Sequence, residues 1–387
     1  MFSQLTYAPL PEWNNLFSIF FSFNKISDND LASPWLRDGE KGYWYSRSAW
    51  ALLAIAKYRK IVKGNESVQV WLPSYFCNEP IGLLRKFNAK ISFYPVLYNG
   101  YPDFEACKDM LNNCKPDLFV LVHYFGELTD ARESFTFAKN NGAWLIEDAA
   151  HVLTPYDGIG ENGDFVFYSP HKLLPIPDGS LLVIRPIGPS GINKEDFKYH
   201  DLGNMEKELN VRTKSSCTPY IWLIKRFLQK ISKVSLTRTT MGFYENDHGK
   251  GMKEYIRPKM SLLAKKLLAI MIKNLDDEII KRRENLNGWI KYLSLSGILE
   301  KKVSQILEIE TPYLAVLKFS KSNNAEKAYN SLLKVKVPVS TWPDLPPEVL
   351  SENQKHKVAV SMRNQRIFLT VHKSNNIKSI KQTLNKI

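Results

Sequence analysis

Two groups able to do chemistry together stand close in the middle of the chain. Residues 143–185 read AWLIEDAAHVLTPYDGIGENGDFVFYSPHKLLPIPDGSLLVIR; one apolar run there leads into Glu147, Asp148 and His151, and the next into Ser169, His171 and Lys172. A carboxylate and a primary amine facing each other out of bulk water can shuttle protons, and the amine can link covalently to a carbonyl. Each residue alone has a plainer reading. A carboxylate at a strand end is often a helix cap, and a lysine in a loop is usually solvated. The combination of Asp-Ala-Ala-His on one strand end with Ser-Pro-His-Lys on the next favours a site. Gly158, Gly160 and Gly163 fit a GxGxxG spacing, but a strand follows where a helix would have to open, so no dinucleotide fingerprint is read there.

The elements that must position these groups are short. The runs at 143–146, 165–168 and 180–184 have the length and turn boundaries of strands buried on both faces. If the first two are parallel neighbours, their carboxyl ends open into one crevice, the usual ligand site of an open α/β sheet. One cofactor calls for such a pair. Pyridoxal phosphate is held as a Schiff base on a lysine, and its ring nitrogen stays protonated only beside a buried anion. Lys172 is the candidate lysine and Asp148 the candidate anion. Ser169 is placed to donate to the cofactor phosphate, and His151 to lie over the ring or near its phenolic oxygen.

The segment resembles the fold-type-I pyridoxal-phosphate enzymes, most of all the DegT/StrS family of sugar aminotransferases. The resemblance rests on Glu147-Asp148-Ala149-Ala150-His151, Gly163-Asp164 and Pro170-His171-Lys172. It departs at Ser169, three residues before the lysine where this family has a serine five before it, a spacing similar to the class V and aspartate aminotransferase branches. Carried over residue by residue, the resemblance implies a phosphate cradle at Ser46-Arg47-Ser48, with Arg47 replacing the family's glycine. The alternative there is an ordinary serine cap. It also implies an aromatic stacked on the cofactor ring after Pro73, with Phe76 first and Tyr75 in reserve, although a core role fits both. His123, in His123-Tyr124-Phe125-Gly126, is either a polar group facing the crevice or a structural histidine. Trp342 and His372 either border the substrate pocket or pack.

What the resemblance implies as a whole is an α/β large domain, a mostly parallel sheet between helices, followed by a smaller α+β domain. The divisions expected are an arm at 1–34, the large domain at 35–255 with a polar insertion at 186–253, and a small domain with its linking helix at 256–387. The implied activity is transfer of an amino group, from glutamate, to a nucleotide-linked keto sugar for surface polysaccharide or secondary-metabolite synthesis, by a cytoplasmic homodimer. A class V-like lyase or desulfurase and a non-catalytic protein of the same fold are the alternatives.

Composition agrees with a large globular enzyme and narrows the partners. The chain has 387 residues, 44% apolar and 24% charged, enough for two cores. Its four cysteines have no metal-ligand spacing and no disulfide density, which fits a reducing compartment. The apolar run at 16–23 is too short to span a bilayer. A net charge of +14 admits nucleic acid, anionic lipid or polyanionic ligands, but the lysines are dispersed and no recognition-helix motif is present, so no nucleic-acid partner is expected.

Along the chain, a helix is expected from Ser46, strands at 68–72, 91–96 and 118–122, and helices at 78–87, 104–111 and 130–141. The stretch 220–234 is a basic amphipathic helix, expected to bury its apolar face against the body, with a membrane surface or a partner as the alternative. Beyond it come one long helix or a broken pair at 261–293, a strand at 312–319, a helix at 325–334, an extended piece at 337–339, a proline-stiffened loop at 342–348, a strand at 367–372 and a final helix.

Overall fold

The structure, a computed structural model, describes residues 5–21, 27–64, 67–197, 202–232, 242–244, 254–295, 303–306 and 311–375. Seven strands, β1 (Lys41–Tyr45), β2 (Gln69–Pro73), β3 (Lys90–Tyr94), β4 (Leu118–Val122), β5 (Trp144–Ala149), β6 (Phe165–Tyr168) and β7 (Ser180–Ile184), form one sheet in the order β1-β7-β6-β5-β4-β2-β3. Four of its six pairings, those joining β3, β2, β4, β5 and β6, are parallel, and β7 and β1 close the edge antiparallel. The apolar character of these strands follows from burial on both faces. One face packs against α2 (Ser48–Lys63) through Trp50, Leu53, Trp71 and Phe119. The other, with Val166, Tyr168 and Leu181, meets α1 (Trp13–Phe21) and a later helix carrying Leu263 and Leu267.

Strand β1 was not anticipated, and α2 starts two residues later than expected, with Arg47 extended at its N-cap (φ −144°, ψ 149°). The helix expected at 78–87 is instead a 3-10 turn, Glu79–Ile81, running into a short helix, Gly82–Lys86. Pro80 has no N–H to donate and falls in that first turn. After β6 a single helical turn, α3 (Pro170–Leu173), carries Lys172.

A second sheet is antiparallel, in the order β10-β11-β9-β8, from β8 (Val303–Ile306), β9 (Leu314–Phe319), β10 (Val339–Ser340) and β11 (Arg366–Thr370). The stretch expected as one helix or a pair is a pair, α5 (Leu262–Met271) and α6 (Leu275–Leu295), broken by a 3-10 turn at Ile272–Asn274. Trp289 of α6 packs into the core of the second sheet and donates to the Thr370 carbonyl at 3.0 Å. The final helix expected toward residue 387 lies outside the described residues.

The basic helix, α4 (Thr218–Ser232), forms as expected but is oriented otherwise. Ile224, Leu228 and Ile231 are more than half exposed, whereas Gln229 is 5% exposed. Its apolar stripe therefore faces outward.

Candidate active site

The parallel pairing of β4, β5 and β6 brings three strand ends side by side. Asp148 lies opposite Val122 and Phe167 in register, and Lys172 follows β6 by one helical turn. Strand alternation sends neighbouring side chains to opposite faces, which separates Glu147 from Asp148.

Asp148 is buried, and its Oδ1 accepts from the Ala150 N–H at 2.9 Å. Burial pushes its carboxyl above the usual range, against the opposing pull of Lys172 and the Ala150 N–H. The Lys172 Nζ lies 3.2 Å from His151 Nε2, and the Phe125 N–H donates to His151 Nδ1 at 3.2 Å. With Nδ1 accepting, the ring hydrogen sits on Nε2, on the side of the lysine nitrogen. Burial first, and Lys172 second, hold the His151 pKa well below its ordinary value, so the ring is neutral. Cys77 shares the crevice. Burial raises its thiol, with Lys172 opposing and Asp148 adding to the rise.

Aromatic rings gather around His151. His151 is stacked by Tyr313 (centroids 4.5 Å, planes 12° apart) and by Phe125 (5.8 Å, 19°), with Trp342 edge-on at 6.3 Å. Tyr75 stacks on Trp342 at 4.4 Å, and both Tyr75 and Phe76 belong to the main core. Trp342, 5% exposed, packs between Tyr75 and His151. Tyr313 was not picked out from the sequence. Its only local signal is Thr311-Pro312 ahead of a strand, and its contact with His151 joins positions far apart in the chain.

The start of α2 supplies donors. The first amides of a helix have no carbonyl one turn earlier to bond, and the Ser46 Oγ is buried without a hydrogen-bond partner among the described residues. Ser48 is half-buried at the first helical position. The Arg47 side chain is tied to backbone carbonyls. Its guanidinium donates to the carbonyls of Ser46 (2.8 Å) and Pro177 (3.1 Å), and burial lowers its pKa against Asp178 and Glu79. Ser169 is fully buried and donates to the Ser180 Oγ at 3.3 Å, which in turn donates to the Tyr168 carbonyl at 2.9 Å. A buried carboxylate, an amine at the next strand end and an unpartnered hydroxyl beside a helix start are the donor set that pyridoxal phosphate requires. The residues present fit that group.

Two histidines fall elsewhere. His123 accepts from the Thr129 N–H on Nδ1 (3.1 Å), so its Nε2–H donates to Glu147 at 2.8 Å, with both side chains fully buried. The same carboxylate accepts from the N–H groups of Gly160, Asn162 and Gly163 at 2.8, 2.7 and 2.6 Å. Burial alone would raise the Glu147 carboxyl; His123 with the Gly163 and Asn162 amides outweighs it and holds it below the usual range. Of the two readings of His123, the structural one matches these contacts. The glycine spacing discounted as a fingerprint is a cradle for this carboxylate: Gly160 has φ +69°, and a Cβ on Gly163 would come within 2.7 Å of the Phe165 carbonyl. His372 bonds Thr6 O at 2.9 Å and Ser374 Oγ at 2.8 Å, tying the amino-terminal arm to the second sheet rather than bordering the crevice.

Among the described residues no group of three His, Cys, Asp or Glu side chains could hold a metal ion, and no helix is long and apolar enough to cross a membrane.

No protein-family model and no curated protein sequence matches the chain. Solved structures do match in fold. The aminotransferase PseC of Helicobacter pylori, involved in the biosynthesis of pseudoaminic acid, is 13% identical with a TM-score of 0.65, over 100% of this chain and 99% of that one. A DegT/DnrJ/EryC1/StrS aminotransferase from Brucella abortus is 13% identical with a TM-score of 0.60, over 96% and 94%. NtdA from Bacillus subtilis, with its cofactor PMP bound, is 12% identical with a TM-score of 0.67, over 100% and 85%. The chain has the fold of these proteins over 96 to 100% of its length.

Proposed function

We propose that the chain is a pyridoxal-phosphate-dependent aminotransferase that places an amino group on a keto sugar. The observation that carries this reading is the meeting of Asp148 and Lys172 at neighbouring parallel strand ends, beside the donor-rich start of α2. The bound cofactor supplies an aldehyde for the lysine and an electron-withdrawing ring. Asp148 keeps the proton on the ring nitrogen. Freed from that aldehyde when an amino donor takes its place, the Lys172 Nζ would carry the proton lost by the substrate carbon to the cofactor carbon it had held, with the His151 ring beside it fixing its position. The Phe125 N–H fixes the tautomer that makes this possible. The α2 amides with Ser46 and Ser48 bind the phosphate, and Tyr313 and Trp342 exclude water from the far side.

The sugar class comes from the DegT/StrS resemblance and from the names of the structural neighbours. Linkage of that sugar to a nucleotide, glutamate as donor and a homodimer are the finer parts of the same proposal; the net charge of +14 suits a diphosphate-bearing substrate. The spacing from Ser169 to Lys172 favours a second reading as a class V-like lyase or desulfurase. Against desulfurase chemistry stands Cys77, whose burial keeps the nearby thiol protonated.

Half-reaction spectroscopy tests the proposal. Protein incubated with pyridoxal phosphate is expected to absorb near ~420 nm, to lose that band in Lys172→Ala, to bleach with an amino donor and to recover with nucleotide-linked keto sugars. Absence of the band after incubation overturns the cofactor reading. A band that no amino donor bleaches overturns the transaminase reading.

A further inference from the structure

The turn that carries Lys172 cannot hold itself in place. Helix α3 is four residues long and opens on Pro170, which has no N–H to donate, and an isolated helical turn fixes several dihedral angles for a single hydrogen bond. Its position is therefore set by side contacts. The residue before the lysine supplies one: His171 Nδ1 lies 2.8 Å from the Gly179 carbonyl. A carbonyl only accepts, so the ring hydrogen is on Nδ1. The His171 backbone N–H reaches the same oxygen at 3.4 Å, and the imidazole makes the closer bond.

Gly179 continues the line. Its N–H donates to the Ser46 carbonyl at 3.0 Å, and Ser46 stands at the donor-rich start of α2. Arg47 ties the same two segments a second time, through the carbonyls of Ser46 and Pro177. Gly179 has φ +135°, where a side chain is strained, and a Cβ there would stand 2.8 Å from Met260 Cε. Hydrogen bonds from Ser46 to Gly179 and from Gly179 to His171 therefore join the start of α2 to the lysine turn. A rigid ring gripped by its phosphate at one end and its aldehyde at the other needs its two anchors at a fixed separation. We propose that His171 is a positioning residue, holding the Lys172 turn at the distance from the α2 donors that the cofactor spans. The inference rests on the cofactor reading above and adds the residue that sets the spacing. Burial first, then Arg47, hold the His171 pKa well below its ordinary value, so the ring works as a neutral donor.

Two variants test it. His171→Phe keeps a ring and removes the donor, and His171→Asn puts a side-chain N–H where Nδ1 was. Amide hydrogen exchange of the cofactor-free proteins reads the turn directly. In His171→Phe the amides of Lys172 and Leu174, which bond the carbonyls of Ser169 and Pro170, should exchange about 10-fold faster, while those of β4 and β5 keep their protection; His171→Asn should restore them. Loaded with pyridoxal phosphate, His171→Phe should still absorb near ~420 nm. It should release the cofactor about 10-fold faster and lose about 10- to 100-fold in kcat with a smaller change in KM for the amino donor, and His171→Asn should recover both. Unchanged exchange in the turn of His171→Phe overturns the inference whether or not the cofactor binds. With the band present, wild-type cofactor release and kcat in His171→Phe, or His171→Asn behaving like His171→Phe, overturns it and leaves the cofactor reading standing. Absence of the band in the wild-type protein overturns the cofactor reading and this inference with it.

Discussion

Arg282 donates from Nη2 to the carbonyl of Leu173, one residue past Lys172. Its Nη1 donates to the carbonyls of Pro312 and Tyr313 at 3.2 and 3.3 Å, and its Nε to Glu278 at 2.7 Å, with Arg282 itself 1% exposed. The Tyr313 N–H donates to the Phe125 carbonyl at 3.0 Å, and Phe125 in turn holds His151. A closed circuit of contacts thus runs from Lys172 through His151, Phe125, Tyr313 and Arg282 back to the lysine turn.

Arg282 is expected to position Lys172 through this circuit. A lysine there keeps the charge but cannot reach three carbonyls at once. Arg282→Lys should lower kcat by about 10- to 100-fold, with a smaller change in KM for the amino donor, and should shift the pH titration of the visible band. Arg282→Met leaves the buried Glu278 with only the long Lys373 N–H contact and should also cost ~3 kcal/mol of stability, which Glu278→Gln in the same chain should largely restore without restoring kcat. Wild-type kcat in Arg282→Lys would remove the positioning role.

Asp148→Asn separates stability from function. An acid whose folded pKa is raised subtracts from stability at pH values above it, because the folded state disfavours the charge that the unfolded chain carries freely. The cofactor-free variant should therefore melt no lower than wild type at pH 7, while turnover falls at least ~100-fold. Calorimetry of the cofactor-free protein beside steady-state rates checks both halves, and a clear drop in Tm contradicts the reading of this carboxyl as destabilised.

His123→Ala should do the reverse. Removing the Nε2–H from the buried Glu147 carboxylate should cost ~2 kcal/mol, visible in urea unfolding, while kcat of the folded enzyme stays within about threefold of wild type. A large kcat loss at unchanged stability would return His123 to the crevice.

His372 sets part of the acid limit of the fold. Burial, with Arg282 adding, pushes its pKa down to about 3. Between that value and the ordinary value near ~6.5 the unfolded chain binds the extra proton and the folded one does not. The contribution is complete above the unfolded value and is lost as pH falls through the window, with a slope of at most about 1.4 kcal/mol per pH unit. His372→Gln should flatten the decline of stability between neutral and mildly acidic pH in denaturation series. An unchanged slope would place the acid sensitivity elsewhere.

Hydrophobic patterning and turn chemistry are local properties, and where they govern, the sequence was enough. Strands β2, β4, β6 and β7 stand within a residue or so of their expected places, and Asp148 and Lys172 fall at consecutive strand ends. Local signals failed where a distant partner decides the state. Residues 41–45 become β1 because they pair with β7, Tyr45 opposite Ser180 and Lys41 opposite Ile184. The sequence read them only as the approach to a helix.

The sequence by itself determined which groups could react and the order of elements that carries them, because burial periodicity is written residue by residue. Only the tertiary structure decided their company: Glu147 beside His123, Tyr313 beside His151, Arg282 on the lysine turn, and open surface rather than core for the apolar side of α4. A pattern says that a helix has an apolar side or that a histidine needs a partner. Which surface or residue meets it depends on long-range packing that no local pattern encodes.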